Sequence, residues 1–337
     1  MMMRQLVSTS AALVAPHSAV PVDVMTSSAS IGMMAQESAY PRNFIGYGAN
    51  PPDARWPNGA RLALSFVLNY EEGGENTVLN GDRISEAYLH EIPGGPARQG
   101  RRDETTESQF DYGARVGVWR VLRLFKERGL PLTVYGVGRA LELNPAVGKA
   151  FAEAGHEVAC HGQRWINYAE VDEATERDHI VQNVAAVTKT VGVPPVGWYT
   201  GRISANTRRL VVEHGGFLYD SDAYDDDLPH YIQVAGKPHL ILPYTFDNND
   251  MKFSVPPGFG GTDAFTTYLR NSLDFLREEG RAMPRMMTVG LHCRLIGRPG
   301  RAAALARFLD HVAGCADVWV CRRADIARHW WKEHPPG

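Results

Sequence analysis

The chain has 337 residues, with 35 Lys plus Arg against 38 Asp plus Glu, a formal net charge of −3. Mixed charges in near balance supply no concentrated basic face for nucleic acid or an anionic membrane, and 44% hydrophobic with 22% charged residues is the composition of an ordinary soluble globular protein. Four cysteines, Cys160, Cys293, Cys315 and Cys321, make neither a disulfide framework nor a Cys-x-x-Cys pair, so the expected setting is reducing and cytoplasmic; no apolar run approaches the ~20 residues of a membrane span.

Residues 1–40 read differently from the rest: they hold six of the ten methionines, seven serines and only three charges, Arg4, Asp23 and Glu37. The one apolar stretch, Leu6–Ala15, is broken by Ser8, Thr9 and Ser10, which does not suit a secretory signal, and a single arginine does not suit a transit peptide. This segment is expected to be a disordered or artefactual extension, with Met34 a candidate true start, and residues 41–337 to form one catalytic domain.

From residue 60 short apolar runs alternate with amphipathic stretches. The expected strands are Leu62–Leu68, Leu132–Val137, Glu157–His161, Val196–Tyr199, Phe217–Asp220, Leu240–Tyr244, Met286–His292 and Asp317–Cys321. Helices are expected over Tyr112–Arg128, over Glu173–Val191 behind an N-cap at Asp172, from Asn144-Pro145 to Gly155, and from Thr262 and Asp263 onward. About forty residues, Tyr70 to Gln109, separate the first strand from its helix and lack periodicity, as a lid, an interface arm or a disordered loop would. Strands alternating with helices pair in parallel, so the expected fold is α/β, a single irregular (β/α) barrel; a doubly wound open sheet is the alternative, although no G-x-G-x-x-G follows the first strand.

A parallel barrel builds its site at the C-terminal strand ends. There the sequence places Asn69-Tyr70-Glu71-Glu72-Gly73-Gly74, His161-Gly162-Gln163-Arg164-Trp165, Trp198-Tyr199-Thr200-Gly201-Arg202, Asp220-Ser221-Asp222 with Asp225–Asp227, and Gly290-Leu291-His292-Cys293-Arg294. Taken singly, each has an ordinary reading: a solvated turn for the glutamates, a solvated loop for the aspartates, a carbonyl partner for a histidine, core for the tryptophans. Their shared position on the barrel is what favours function. Neighbours in a strand face opposite ways, so Cys160 and Cys293 are expected to pack away from His161 and His292.

These segments, in this order, resemble the polysaccharide deacetylase family, whose fold is an irregular NodB-like barrel of seven to eight strands. Asn69-Tyr70-Glu71-Glu72-Gly73 occupies the place of the family's Thr-Phe-Asp-Asp-Gly motif, base then metal ligand, and His292 that of its catalytic histidine. His161-Gly162-Gln163-Arg164-Trp165 stands at the His-Ser/Thr-x-x-His motif, with Trp165 in place of the second metal histidine. A hydrolytic metal site needs about three protein ligands, and an indole has no lone pair to offer, so Glu72 and His161 remain as vestigial metal positions. The strings NYEEGGE (69–75), GWYTGR (197–202), YDSDAYDDDLP (219–229) and GLHCRLIGRP (290–299) are similar, more narrowly, to the bacterial allantoinases recruited from that family.

That narrower resemblance implies hydrolytic opening of the hydantoin ring of allantoin to allantoate, no required cofactor although a weakly held divalent metal stays open, a small ureide as substrate, and a homotetramer. It implies Glu71 as base for water and His292 as the acid at the leaving nitrogen or the group polarising the carbonyl. Glu72 and His161 are expected to hydrogen-bond to each other or to substrate. Arg202 or Arg294 would stabilise the oxyanion, oriented by Asp220 or Asp222, and Trp165 and Trp198, with Tyr199, would narrow the substrate pocket. The alternatives are a cyclic imide or hydantoin hydrolase, a metal-dependent chitin or peptidoglycan deacetylase, and a non-catalytic barrel.

Overall fold

β1 (Leu62–Tyr70) is buried along its whole length, as a strand covered on both faces must be. β8 (Arg285–His292) runs parallel along one edge, from Leu62 opposite Arg285 to Asn69 opposite His292. The other edge is shared: β9 (Val318–Val320) pairs with Leu62–Leu64 and β2 (Thr133–Gly136) with Val67–Tyr70. Beyond β2 the sheet continues in parallel through β3 (Glu157–Cys160), β4 (Gly197–Trp198) and β5 (Tyr219–Asp220) to β7 (Lys237–Ile241). β6 (His230–Val234) closes the order β6-β7-β5-β4-β3-β2-β1-β8 as the antiparallel arm of a hairpin with β7.

This computed structural model describes residues 42–336, so the expectation for residues 1–40 lies outside the described residues. Gly46 onward forms one compact unit, and Arg42–Ile45 belong to another, in which the Arg42 guanidinium lies over the Phe44 ring. The sheet curls into an irregular half-barrel: between β8 and the segment after β7 the one strand-type pairing among the described residues is the isolated parallel bridge Asn249–Gly290. The interior is filled. Arg323, fully buried, donates to Thr288 Oγ1 (2.7 Å), Ser221 Oγ (2.9 Å) and the Pro243 carbonyl (3.0 Å), tying β8 to the chain after β5 and β7.

Most expected strands appear within a residue or two of their sequence bounds. Leu240–Tyr244 is displaced to Lys237–Ile241 because its first half pairs with β6, a strand of partly exposed residues that shows no apolar run. The Asp172 cap forms, its Oδ1 accepting from Thr175 N at 2.9 Å, whereas Asn144 precedes the helix Pro145–Glu153 without a side-chain cap. Instead of one helix over Tyr112–Arg128, α1 (Glu104–Tyr112) and α2 (Val118–Glu127) are joined by a π turn at Gly113–Gly117. A Cβ on Gly113 would run into the Glu72 carboxylate, and one on Gly117 into the Cys293 carbonyl. The wide turn therefore lets the helix come directly against the end of β1, as π turns often do near functional sites.

Candidate active site

Parallel pairing brings the C-terminal ends of β1, β3, β4 and β8 to one mouth, where a cavity of about 390 Å³ opens. Glu71, His161, Tyr199 and His292 line it together with Asn69, Tyr244 and Asn249, and Tyr88, Trp165 and Arg202 form a wall. Glu71 Oε1 lies 3.2 Å from His161 Nε2 and 3.6 Å from His292 Nε2, while Oε2 accepts from Arg294 Nη1 at 2.6 Å. Burial pushes this carboxyl up, but Arg294, then His292 and His161, more than offset it and hold Glu71 well below the usual carboxylate range. Glu71 is thus an ionised carboxylate with one oxygen committed to a guanidinium and the other facing two imidazoles.

The two histidines are held differently. His161 Nδ1 faces the Tyr199 carbonyl at 3.2 Å and its Nε2 faces Glu71 Oε1 at 3.2 Å; both oxygens only accept, so each ring nitrogen is placed to donate. Its ring stacks on Tyr199, with centroids 5.1 Å apart. His292 Nδ1 donates to Asp250 Oδ1 at 2.6 Å, and Asp250 Oδ2 accepts the backbone N–H groups of His292 (2.7 Å) and Ile296 (3.1 Å). Burial alone lowers the His292 pKa, yet the Glu71 and Asp250 carboxylates raise it overall, so its cationic form, with Nε2–H toward the cavity, is favoured. Asp250, fully buried, escapes a sequence reading: it opens the short 3-10 helix Asp250–Phe253, 42 residues before its partner.

Several expected residues take other places. Glu72 does not meet His161 and does not line the cavity; its Oε2 accepts the Glu71 N–H at 2.9 Å, and its side chain packs against Gly113. Consecutive residues at a strand end point opposite ways, so only Glu71 can face the mouth. Burial, opposed by Arg294 and reinforced by Glu71, lifts the Glu72 carboxyl to about 7. The same alternation turns Trp198 away, where Nε1 donates to Thr200 Oγ1 (2.8 Å) and the ring packs on Phe217, while Tyr199 takes the cavity side. Cys160 and Cys293 are buried packing residues, as expected.

Neither aspartate orients an active-site arginine side chain. Asp220 binds His239 Nε2 (2.7 Å) and Arg208 Nε (3.1 Å). Asp222 accepts from the Thr200 and Gly201 N–H groups, the latter at 2.7 Å, and so fixes the turn that carries Arg202. Of the two candidate arginines, only Arg202 lines the cavity, its guanidinium 4.0 Å above Trp165 and 4.9 Å above Tyr88. Arg294 lies behind Glu71, over Phe110 at 4.2 Å, and its Nη2 has no partner among the described residues. Tyr88 comes from the aperiodic stretch after β1. Arg164 pins that stretch, donating to the carbonyls of Gly74 (3.1 Å) and Glu75 (3.0 Å) and to Asp82 (2.5 Å), so it is an ordered cover over the mouth.

Comparison with known proteins fits this geometry. The polysaccharide deacetylase family pattern matches residues 99–216. A putative polysaccharide deacetylase of Schizosaccharomyces pombe is 44% identical over 317 residues, 87% of this chain and 98% of the relative. The chain belongs to the polysaccharide deacetylase family. The fold is correspondingly similar to a probable polysaccharide deacetylase from Pseudomonas aeruginosa (TM-score 0.87, 54% identity, 88% of this chain and 100% of that one). It is equally similar to a PuuE allantoinase (TM-score 0.87, 52% identity, 88% and 99%).

Membership in this deacetylase family implies a divalent metal, and the donors here do not fit one. Among the described residues no three His, Cys, Asp or Glu side chains are placed to hold a metal ion. Trp165 offers no lone pair, Glu72 points away, and the Arg294 cation occupies the Glu71 carboxylate. Restoring one ligand is therefore not enough: Trp165→His is expected to leave zinc affinity below the micromolar range in isothermal titration. A tight site in that variant would show that Glu72 swings readily into the mouth.

Proposed function

We propose that this family member is an amidohydrolase of small cyclic ureides, opening the hydantoin ring of allantoin to allantoate without a required metal. The observation that carries the reading is the Glu71 carboxylate, neutralised by Arg294 rather than shared among metal ligands, with its free oxygen between two imidazoles. The 52% identity to a PuuE allantoinase supports the substrate. So does a cavity whose polar lining includes the amides Asn69, Asn249 and Asn167 and whose wall is two aromatic rings and Arg202, a surface for a flat, uncharged ring rich in amide groups.

In this scheme water sits against Glu71 Oε1. Its oxygen bonds to the ring carbonyl carbon as its proton passes to Glu71; the C–N bond breaks as His292 Nε2 gives its proton to the departing nitrogen. The proton on Glu71 then returns to His292, 3.6 Å away, and both groups are reset. In the same scheme Arg202, which lines the cavity, takes the oxyanion role, and His161 holds the Glu71 oxygen. Cytoplasmic location and a homotetramer belong to the same proposal; among the described residues no helix is long and apolar enough to cross a membrane.

A second reading, deacetylation of a polysaccharide, is favoured by the names given to the S. pombe and P. aeruginosa relatives. One assay separates them: purified protein is expected to hydrolyse allantoin, measured as allantoate formed, equally well with and without a chelator. Activity confined to acetylated sugars, or abolished by the chelator, would overturn the reading.

A further inference from the structure

One buried carboxylate beside the mouth has no part in the scheme above. Glu86 stands in the stretch after β1 and is 5% exposed. Its backbone is held directly and through its neighbour: the Glu86 N–H donates to the Asn76 carbonyl at 2.8 Å, and the Ser85 N–H donates to the Arg98 carbonyl at 3.0 Å. Its side chain ends among donors. Oε1 accepts the N–H groups of Ala87 (2.9 Å) and Tyr88 (2.8 Å), and Oε2 accepts from Asn76 Nδ2 at 2.9 Å. Both oxygens also face the Arg202 guanidinium, with Oε2 3.4 Å from Nη1 and Oε1 3.5 Å from Nη2.

We propose that Glu86 is a positioning residue, which sets the Arg202 guanidinium and the Tyr88 ring as one wall of the cavity and so places the cation for the oxyanion. The inference rests on the oxyanion role given to Arg202 above. Asp222 fixes only where Arg202 starts, by holding the Thr200 and Gly201 N–H groups, and a long arginine side chain leaves its tip free to roam. Glu86 supplies the constraint at the tip. Two nitrogens facing two oxygens fix the plane of the guanidinium as well as its place, 4.0 Å above Trp165 and 4.9 Å above Tyr88. The same carboxylate holds the Tyr88 N–H, so ring and cation are set together. Burial raises the Glu86 carboxyl, but Arg202, then the Tyr88 N–H and Asn76, bring it below its ordinary value, and the pair is ionic. Its contacts to Arg202 are long beside the 2.6 Å bond by which Glu71 engages Arg294, so Arg202 is oriented while remaining available to a developing negative charge.

Asp82 offers the comparison, since it anchors the same stretch by other contacts. It accepts from Arg164 Nη2 at 2.5 Å and from the Thr77 N–H at 2.8 Å, and neither partner is Arg202. Its removal loosens the cover without taking away the charge that faces the cation.

The test is a double-variant cycle on the full chain, read in kcat and KM. Glu86→Gln keeps an oxygen for the Ala87 and Tyr88 N–H groups, and Asn76 can meet the new amide by turning its own, so the chief loss is the charge facing Arg202. It is expected to lower kcat about tenfold with KM within about a factor of three. In an Arg202→Met background the same change should cost less than about twofold, whereas the effect of Asp82→Asn should not depend on Arg202. Arg202→Gln replaces the methionine variant if thermal unfolding shows that the latter does not fold. Trp165 gives a readout independent of turnover, because the guanidinium lies over its ring. Glu86→Gln should change the tryptophan emission of the substrate-free protein, and the change should vanish in a Trp165→Phe or an Arg202→Met background. Equal kcat losses with and without Arg202, unchanged emission, or equally strong coupling of Asp82→Asn to Arg202 would overturn the proposal. A parent protein inactive on allantoin would instead sink the substrate reading, and the emission cycle alone would then decide the role of Glu86.

Discussion

Glu71→Gln is expected to lower kcat for ring opening by roughly 10²- to 10⁴-fold while leaving KM within a small factor. Two consequences of the substitution must be kept apart. The carboxamide cannot take the proton of water, which is the chemical loss. It also leaves the buried Arg294 guanidinium without its anion, and breaking a buried pair from one side costs on the order of 3–5 kcal/mol. Glu72 limits that cost, since Arg294 already acts on it and the removal of Glu71 takes away the repulsion that helps hold its carboxyl near 7. Part of the missing negative charge is thereby supplied from the next residue, so the fall in Tm should be at the lower end.

A double variant separates the two effects. Glu71→Gln with Arg294→Met removes both charges, and apolar replacement of a buried pair is often neutral for stability, so Tm should recover while kcat stays low. If kcat recovered with Tm, the role of Glu71 would be structural; near-normal kcat in the single variant would show that it is not the base. The pH dependence has a definite sign. Glu71 lies below its ordinary value in the folded state, so its stabilising contribution is present above the ordinary carboxylate range and is lost only as pH falls through the lower folded value.

How much of this site a sequence can disclose depends on the range over which its parts interact. β1, β3 and β8 are read correctly because apolar runs of the right length sit in their own segments, and strand-end placement then brings Glu71, His161 and His292 to one mouth. Alternation along the strand is equally local. Applied at Cys160 it gives the right answer, and applied at Glu72 and Trp198 it would have turned both away from the cavity, where motif position alone kept them. The features that escape are set by distant partners. Asp250 is identified only by the imidazole it touches, and β6 only by the arm it pairs with. The glycine at the start of the π turn is accounted for by the Glu72 carboxylate against Gly113 rather than by helix propensity. Arg294 is legible as a cation near the site, but its side of Glu71 is decided by Phe110 and Trp165 packing around it.

Asp250→Asn is expected to move the alkaline limb of kcat/KM to lower pH and to reduce kcat by about 10²-fold. His292 acts in its protonated form, so activity is present below its folded pKa and lost as pH rises through it. In the parent protein that value lies above the ordinary histidine value of about 6.5, because Glu71 and Asp250 together outweigh burial. Removing the Asp250 charge leaves burial opposed by Glu71 alone, and the limb retreats toward the acid side. The amide also loses the charge-assisted bond at 2.6 Å that sets the ring tautomer and orientation, which accounts for the loss in kcat at any pH. Asp220→Asn supplies the comparison, since Asp220 is an equally buried carboxylate on a histidine, 2.7 Å from His239, but its partners do not line the mouth. It should lower Tm without displacing the limb. A profile that Asp250→Asn left in place would mean that His292 is not the acid seen in the alkaline loss. If both variants displaced it equally, the shift would be a general effect of removing buried negative charge rather than of the bond to His292.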